Sequence, residues 1–275
     1  MQTRYLNHSI KQSGFNLIEL TVVIVVLAII SAGTAAYIVD SMRAYTDSAR
    51  REQITSEART ALERVVRELR NALPNSIRIQ TDVTGGITTH CIEFFPVIRG
   101  SAYLDLNTSA ATISFSAVPF TSPGGGNHHV VVYPYATTPL YATGSPGQRT
   151  DFDSASNTAA GVVLLQNPHR FNQASARKRF YITEGPVSFC INSGNQRLDR
   201  FNGYGVNVTQ TAPPAGNVGM LASNIWLVDN GTNVIPFTYS AGSLSRAAVV
   251  KLDFRFMQSD EWVRLTQEVQ IRNAP

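Results

Sequence analysis

An uncharged apolar run near the start of the chain constrains its fold more than any other feature. It covers residues 20–39 and reads LTVVIVVLAIISAGTAAYIV, with no charged side chain. As an α-helix, this segment is long enough to span the hydrocarbon core of a bilayer. Arg4 and Lys11 precede it in a stretch without acidic residues, and basic residues favour the cytoplasmic side. The sequence therefore predicts one membrane helix, with everything beyond residue 39 on the far side of the membrane.

A cleavable secretory signal peptide is the competing interpretation of the same residues. Residues 21–30 would be its apolar region, and residues 31–33 or 34–36 would supply the small side chains before the cut. Glu19 favours the membrane helix, because a carboxylate at the start of an apolar helix costs a few kcal/mol in lipid unless something neutralises it. A signal peptide has no use for that carboxylate.

The residues around this boundary carry a family resemblance. The heptapeptide GFNLIEL at residues 14–20, followed by the apolar run, resembles the prepilin cleavage motif of type IV pilins and of type II secretion pseudopilins. The resemblance implies that a prepilin peptidase cuts after Gly14 and that the new amino terminus, Phe15, is N-methylated. It also implies that Glu19 pairs with the amino terminus of a neighbouring subunit during filament assembly. Burying a single charge in a helix bundle costs much free energy, whereas burying two opposite charges side by side costs less. Such a pair would therefore favour a fixed axial register between neighbouring subunits.

One feature departs from the commonest pattern of that family. Major pilins usually carry a proline within the mature helix, at the place where this chain has Ala35, Ala36 and Tyr37. A proline kink is therefore not expected here. Gly33 is a weak substitute, because glycine lowers helix stability by about 1 kcal/mol relative to alanine.

The helical pattern continues well past the membrane segment. Apolar residues recur at three-four spacing on one face, and charged residues occupy the other face. The apolar set is Ile54, Ala58, Ala61, Leu62, Val65, Leu69, Ala72 and Leu73, and the charged set is Arg50, Arg51, Glu52, Glu57, Arg59, Glu63, Arg64 and Arg67. Pro74 is predicted to end the helix. A helix over residues 15–73 would be about 90 Å long, so its first half must pack on something outside its own domain.

Short β-type runs follow Pro74, separated by Gly, Pro, Ser and Asn. They cover residues 92–97, 112–118, 130–135, 162–165, 179–182, 187–191, 225–228 and 234–239. Residues 250–256 alternate apolar and charged side chains, and a turn at residues 258–261 leads into residues 262–271, which predicts a terminal hairpin. The expected fold class is α+β, with a long N-terminal helix packed against a C-terminal antiparallel β-rich pilin domain.

The predicted organisation has four parts. Residues 1–14 form a prepilin leader peptide, and residues 15–39 form the transmembrane and filament-core helix. Residues 40–73 are the amphipathic continuation of that helix. Residues 74–275 form a β-rich domain in the periplasm or outside the cell. No repeat and no further domain boundary stands out in the sequence.

The two cysteines, Cys91 and Cys190, indicate an oxidising compartment. They are too few for a small disulfide scaffold and too far apart for a zinc ribbon or a CxxC redox motif. One disulfide between them is the expected use, and a pair of buried thiols is the alternative. The loop of about 100 residues that it would close corresponds to about 4.7 kcal/mol at most in the chain-entropy model.

A second resemblance concerns the β-rich domain. The stretches RFYITEGPVSFC at residues 179–190 and QEVQIRNAP at residues 267–275 resemble minor pilins of the mannose-sensitive haemagglutinin pilus system and the J-type minor pseudopilins of type II secretion. The mass of 30.0 kDa also favours a minor over a major subunit.

The two resemblances together imply a minor pilin-like structural subunit that assembles into, primes or caps a type IV pilus. Its expected partners are other major and minor pilin subunits, the prepilin peptidase, the inner membrane and the inner-membrane assembly platform. It would be a single-pass inner-membrane precursor with a periplasmic domain, and later part of a pilus or pseudopilus. A minor pseudopilin of a type II secretion system is one alternative. A tip adhesin or binding subunit is the other, suggested only by Tyr133, Tyr135 and Tyr141.

No catalytic residue, metal ligand, cofactor or nucleic-acid partner is predicted, and the chain is not expected to be an enzyme. The sequence has no G-x-S-x-G elbow, Walker loop or H-E-x-x-H. His128 and His129 are neighbours that lack a third ligand at useful spacing. The formal charge of +4 is spread thinly, so it does not argue for nucleic acid.

Two polar clusters receive structural interpretations. Asp151, Asp153 and Asn157 faintly resemble a calcium loop, but the glycine and the terminal glutamate of such a loop are missing, so we expect capping and turn roles. Residues 177–179, Arg-Lys-Arg, are expected to be a solvated loop end, although such a cluster could also contact DNA, lipid phosphates or an acidic partner.

Overall fold

A computed structural model of the protein describes residue 14 and residues 16–229, 231–242, 246–259 and 261–271. Contacts divide the chain into two compact units, Met1–Arg50 and Arg51–Pro275. The predicted α+β class is confirmed, because one long N-terminal helix precedes an antiparallel β-rich part.

Helix α1 extends from Leu17 to Arg70 without a break. It passes through Gly33 and the following alanines as a regular helix, as expected from the absence of proline. It ends three residues before the predicted end at Leu73, because the chain there pairs with another segment. The backbone N–H of Leu73 donates to the carbonyl of Phe95 at 2.8 Å, and that of Val97 donates to the carbonyl of Asn71 at 2.8 Å.

The strands of the second unit are short, and their ladders are antiparallel throughout the described residues. They are β1 (Arg78–Thr84), β2 (Ile87–Phe94), β3 (Val97–Asp105), β4 (Thr112–Ala117), β5 (His129–Val132), β6 (Arg149–Asp151), β7 (Val162–His169), β8 (Arg179–Thr183), β9 (Val187–Asn192), β10 (Arg197–Asn202), β11 (Asn217–Ala222), β12 (Val228–Asp229), β13 (Thr232–Asn233), β14 (Phe237–Ser240), β15 (Ala248–Gln258) and β16 (Glu261–Ile271). A short helix, α2 (Thr137–Tyr141), and a 3₁₀ turn, Thr158–Ala160, lie between β5 and β7.

These strands form three larger sheets and one two-stranded ribbon. The first sheet has the order β1-β2-β9-β10-β11, the second β14-β15-β16 and the third β6-β5-β8-β3-β4-β7, while β12 pairs with β13. The six strands of the third sheet are consecutive in sequence, between β2 and β9. Because β2 and β9 pair with each other, residues 97–183 form an insertion between two neighbouring strands of the first sheet.

The second half of α1 lies in the main hydrophobic core. Its buried residues share one cluster with apolar side chains of the first and second sheets. The helix residues in that cluster are Ile54, Ala58, Ala61, Leu62, Val65, Val66 and Leu69. Their three-four spacing matches the predicted apolar stripe, with Val66 added, so residues 51–70 fold as part of the β-rich unit.

The insertion has a hydrophobic core of its own. Phe115, Phe171 and Phe180 pack edge to face in it, with ring centroids 5.1–6.2 Å apart. A third, smaller cluster joins the insertion to the end of α1. It consists of Leu73, Phe95, Val131, Leu140 and Tyr141.

Most predicted strands are present, but prolines shift several of their ends. The run predicted at residues 92–97 is two strands that break at Phe95 and Pro96, and the run at residues 234–239 begins only at Phe237, after Pro236. Proline lacks the N–H that a ladder needs. The run at residues 130–135 stops at Val132, because Tyr133 has a positive φ of 47°.

One strand prediction was wrong over most of its length, and several strands were not predicted. Residues 225–228 contribute only an isolated bridge from Ile225 to Phe256 and the first residue of β12. β1, β6 and β10 are rich in polar residues, and Gly219 interrupts the apolar residues of β11, so none of the four contains a long apolar run. The terminal hairpin of β15 and β16 is confirmed, with eleven residues in each strand.

The expected disulfide is present between Cys91 and Cys190. These residues face each other in the register of β2 and β9, and both are buried. The bond therefore ties together the two strands from which the insertion leaves and to which it returns.

We expect the Cys91→Ala/Cys190→Ala variant to lose about 2–5 kcal/mol of unfolding free energy, because the cross-link restricts a long loop in the unfolded chain. Denaturant unfolding of the oxidised protein and of this variant measures the difference. The unchanged protein measured in the presence of a reductant is the control, and its unfolding midpoint should approach that of the variant. An equal midpoint for all three samples would contradict the stabilising role.

A buried ion pair fixes β1 against β2. The Arg78 guanidinium donates to Glu93 Oε1 at 2.7 and 3.0 Å, and it also stacks over the Tyr141 ring at 3.6 Å from the ring centroid. Burial raises the pKa of the Glu93 carboxyl, and Arg78 opposes that rise. Ser188 donates to the second carboxylate oxygen at 3.4 Å. The carboxylate is only 1% exposed, so it depends on these donors.

We expect Arg78→Met to destabilise the protein by about 3–5 kcal/mol, because it leaves a buried carboxylate without its cation. The double variant Arg78→Met/Glu93→Leu removes both charges and should recover most of that loss. Thermal or denaturant unfolding of the two variants checks the difference. A double variant less stable than the single one would show that the pair itself is strongly favourable.

Candidate assembly site on the N-terminal helix

The first half of α1 exposes apolar side chains on all of its faces. Every described residue from 16 to 49 is exposed, including Leu17 at 78% and Ile29 at 67%. Within the described residues, this helix is long and apolar enough to cross a membrane. A surface of this kind is unfavourable in water, because it leaves a large apolar area uncovered.

Two threonine hydroxyls within the apolar run are satisfied by the helix itself. Thr21 Oγ1 donates to the carbonyl of Ile18 at 2.8 Å, and Thr34 Oγ1 donates to the carbonyl of Ile30 at 2.9 Å. Polar groups in lipid need such internal partners. The two threonines therefore do not prevent the segment from lying in an apolar environment.

Glu19 lies in the first turn of α1 and is exposed. Its backbone N–H donates to the carbonyl of Asn16 at 3.0 Å, and so does that of Leu20 at 3.2 Å. Asn16 precedes the first helical residue, which places Glu19 at the third helical position. A carboxylate there interacts favourably with the positive end of the helix dipole. Among the described residues, its oxygens have no hydrogen-bond partner and no ion-pair partner.

The predicted processing site is described only in part. Gly14 is exposed and precedes the helix. Phe15 and the leader residues 1–13 lie outside the described residues. Cleavage after Gly14 and pairing of Glu19 with an amino terminus stay predictions.

Polar contacts fasten the second half of α1 to the strands around it. The helix contributes Arg51, Glu57 and Glu68 to these contacts. Their partners come from β16, from the loop at residue 223 and from β10, respectively. Arg51 Nη2 lies 2.7 Å from Glu261 Oε2, Arg200 Nε lies 2.9 Å from Glu68 Oε2, and the Ser223 N–H donates to Glu57 Oε1 at 2.8 Å. The charged face that the sequence predicts as solvated is thus partly used to hold the helix in its unit.

The histidine pair at the start of β5 does not form a metal site in the described part of the chain, where no group of three His, Cys, Asp or Glu residues could hold an ion. His129 Nδ1 donates to Asp151 Oδ1 at 2.7 Å. Burial lowers the pKa of His129, with a further lowering by Arg149 and an opposing effect of Asp151. The sequence did not indicate this pair, because its members are 22 positions apart and belong to different strands.

The expected capping and turn roles are present for Asp153 and Asn157 in the loop after β6, whereas Asp151 lies in β6 and pairs with His129. Asp153 Oδ1 accepts a hydrogen bond from the Ala155 N–H at 2.9 Å, and Asn157 Oδ1 accepts one from the Ala160 N–H at 3.1 Å. These carboxylate and amide groups are thus committed to turns.

The three tyrosines that suggested a binding surface do not form one. Tyr141 is only 1% exposed and donates its hydroxyl to the carbonyl of Ser76 at 2.9 Å. Tyr133 and Tyr135 form a ring pair at 5.7 Å between centroids. Tyr141 is thus removed from the hint of a binding surface, because it belongs to the small buried cluster, whereas Tyr135 is exposed.

Burial lowers the pKa values of His90, His129 and His169 below 6.5. Unfolded histidines take up protons near pH 6.5 while these folded ones stay neutral, so the unfolded state gains stability as the pH falls below that value. We expect the melting temperature to fall between about pH 7 and pH 5.5.

The variant His90→Asn should show a shallower fall over that interval, since asparagine keeps a polar group next to Thr81 and does not titrate. Thermal unfolding at four or five pH values gives the slope of melting temperature against pH for the unchanged protein and for the variant. Identical slopes for the protein and the variant would show that His90 is protonated equally in both states.

Comparison of the chain with protein-family models, with curated proteins and with solved structures finds no match in any of the three.

Proposed function

We propose that this chain is a structural subunit of a type IV pilus-like filament, a minor pilin that assembles into, primes or caps the filament. The observation that carries the proposal is the division of one continuous helix. Its first half is exposed on every face and contains the uncharged apolar run of residues 20–39, and its second half is buried in a β-rich unit. Such a chain can sit in a membrane as a monomer and exchange lipid for neighbouring helices in a bundle.

The motif at residues 14–20 gives the proposal its specific form. Prepilin peptidase would cut after Gly14, and Phe15 would become the methylated amino terminus. The free carboxylate of Glu19 would then pair with the amino terminus of a neighbouring subunit. The inner membrane, the assembly platform and other pilin subunits are the partners that this route requires. A minor pseudopilin of type II secretion has the same motif and remains the alternative.

The amino terminus of the mature protein is the direct test of processing. We expect intact-mass and N-terminal analysis of membrane-extracted protein to give a methylated phenylalanine at Phe15. A start within residues 32–37 would mean cleavage of a secretory signal peptide, and the filament proposal would be wrong.

Glu19→Gln tests the role of the charge in assembly. Glutamine has nearly the same size and shape as glutamate and is tolerated at the third helical position, so the variant removes the charge and little else. We expect normal membrane insertion, because the change only lowers polarity, but roughly tenfold less protein in sheared surface filaments.

Asp40→Asn is the matched control, since it removes one exposed carboxylate from the same helix beyond the apolar run. We expect it to assemble as well as the unchanged protein. Immunoblots of filament and membrane fractions measure both variants. Equal filament amounts for Glu19→Gln and Asp40→Asn would contradict the pairing of Glu19 with an amino terminus.

A further inference from the structure

A cleft lies where the end of α1 meets the insertion. Its volume is about 500 Å³. Its walls come from residues 70–72 and Pro74, from β3, from β8 and from Arg177, which precedes β8 by two positions. Three arginines line it: Arg70, Arg177 and Arg179. The apolar part of the lining includes Pro74 and Val97.

Within the described residues, no acidic side chain balances the positive charge of this cleft. None of its lining residues is acidic. In the described part of the chain, no carboxylate lies within ion-pair distance of Arg70, Arg177 or Arg179, and all three are exposed. Other arginines of this unit have carboxylate partners, for example Arg197 with Asp199 at 2.9 Å. Three guanidinium groups around one concavity repel each other unless an anion joins them.

Local structure accounts for only part of this arrangement. Arg70 is in the last turn of α1, where a cation is favoured by the helix dipole. Arg177 lies in the loop between β7 and β8, and Arg179 is the first residue of β8, so that explanation does not apply to them. The loop is held by hydrogen bonds from the Lys178 N–H to the carbonyl of Ser175 at 2.9 Å and from the Tyr103 N–H to the carbonyl of Lys178 at 2.8 Å. Lys178 itself, with a positive φ of 54°, does not line the cleft.

Tyr181 adds a polar group beside the arginines. It lines the same cleft, and burial raises the pKa of its hydroxyl, while Arg179 and Arg177 lower it. The phenol is therefore protonated at neutral pH.

We propose that this cleft binds an acidic peptide segment of another protein, with its carboxylates on Arg70, Arg177 and Arg179 and an adjacent apolar side chain against Pro74 and Val97. Guanidinium groups bind carboxylates through paired N–H donors. The inference does not depend on the filament proposal, since it uses only the Arg51–Pro275 unit.

The shape of the site favours a peptide over nucleic acid. Non-specific DNA binding relies on many phosphate contacts along an extended basic surface. Here three cations surround a concave site with apolar walls, and the whole chain carries a formal charge of only +4. A cleft of this volume and mixed lining suits a short chain segment with one apolar and several anionic groups.

The test uses the full-length protein in a non-ionic detergent and two fluorescein-labelled probes, the octapeptide Glu-Asp-Leu-Glu-Asp-Leu-Glu-Asp and its Gln/Asn counterpart. We expect fluorescence anisotropy to show saturable binding of the acidic probe only, weakened by rising salt. Arg177→Gln/Arg179→Gln should weaken it about tenfold, and Arg70→Gln should weaken it as well.

Lys178→Gln and Arg67→Gln are the matched controls. Each removes one positive charge from the same loop or the same helix turn, at a residue that does not line the cleft, and each should leave the affinity within about twofold. Circular dichroism of every variant establishes that it is folded.

Three results would overturn the proposal. One is no binding of the acidic probe by the folded protein. Another is an equal loss of affinity in the cleft variants and in the two controls, which would mean general charge attraction. The third is tighter binding of a single-stranded oligonucleotide or of phosphatidylglycerol vesicles, lost in the same cleft variants, which would assign the cleft to phosphate groups.

Discussion

The rest of the structure depends on the burial of the second half of α1. Seven of its side chains lie in one core together with apolar residues of two different sheets. Among the described residues, the five-stranded and three-stranded sheets share no ladder, and the helix packs against apolar side chains of both. Polar contacts of Glu57 and Glu68 then fix its position along the axis. Without the helix, each sheet would expose its apolar face to water.

The same helix meets a different environment in its first half. Up to residue 49 it carries no buried side chain, although its backbone hydrogen bonds continue unbroken from Leu17. A backbone that satisfies its own polar groups can move between water-poor surroundings without a change in structure. One helix can therefore be part of a folded unit at one end and present an exposed apolar surface at the other.

The sequence predicted the parts of the fold that have a clear period. The three-four spacing of residues 54–69 located the buried face of α1, and the alternation in residues 250–256 located the terminal hairpin. Strand ends at Pro96 and Pro236 were missed because an apolar run continues across each proline, while the ladder cannot. Strands such as β10 were missed because a polar strand in the middle of a sheet has no distinctive local pattern.

The candidate sites were predictable to different degrees. Glu19 is evident from the sequence, because a single charge next to a long apolar run is conspicuous. The Arg177 and Arg179 pair is also visible, but the contribution of Arg70 is not, since more than 100 positions separate it from them. Likewise, the pairing of His129 with Asp151 depends on the register of β5 and β6. Contacts of this kind come from topology, which a single sequence does not encode locally.

The insertion shows how that topology creates the arginine-lined cleft. Residues 97–183 leave the first sheet after Phe94 and return at Val187, and the Cys91–Cys190 bond holds those two strands together. The small cluster around Leu73, Phe95 and Tyr141 then sets the insertion against the end of α1. Arg70 comes from the helix, whereas Arg177 and Arg179 come from the insertion, so their convergence depends on this packing. A segment bound between them would contact both parts at once, and its affinity would therefore respond to the packing of Leu73 and Tyr141 as well as to the arginines.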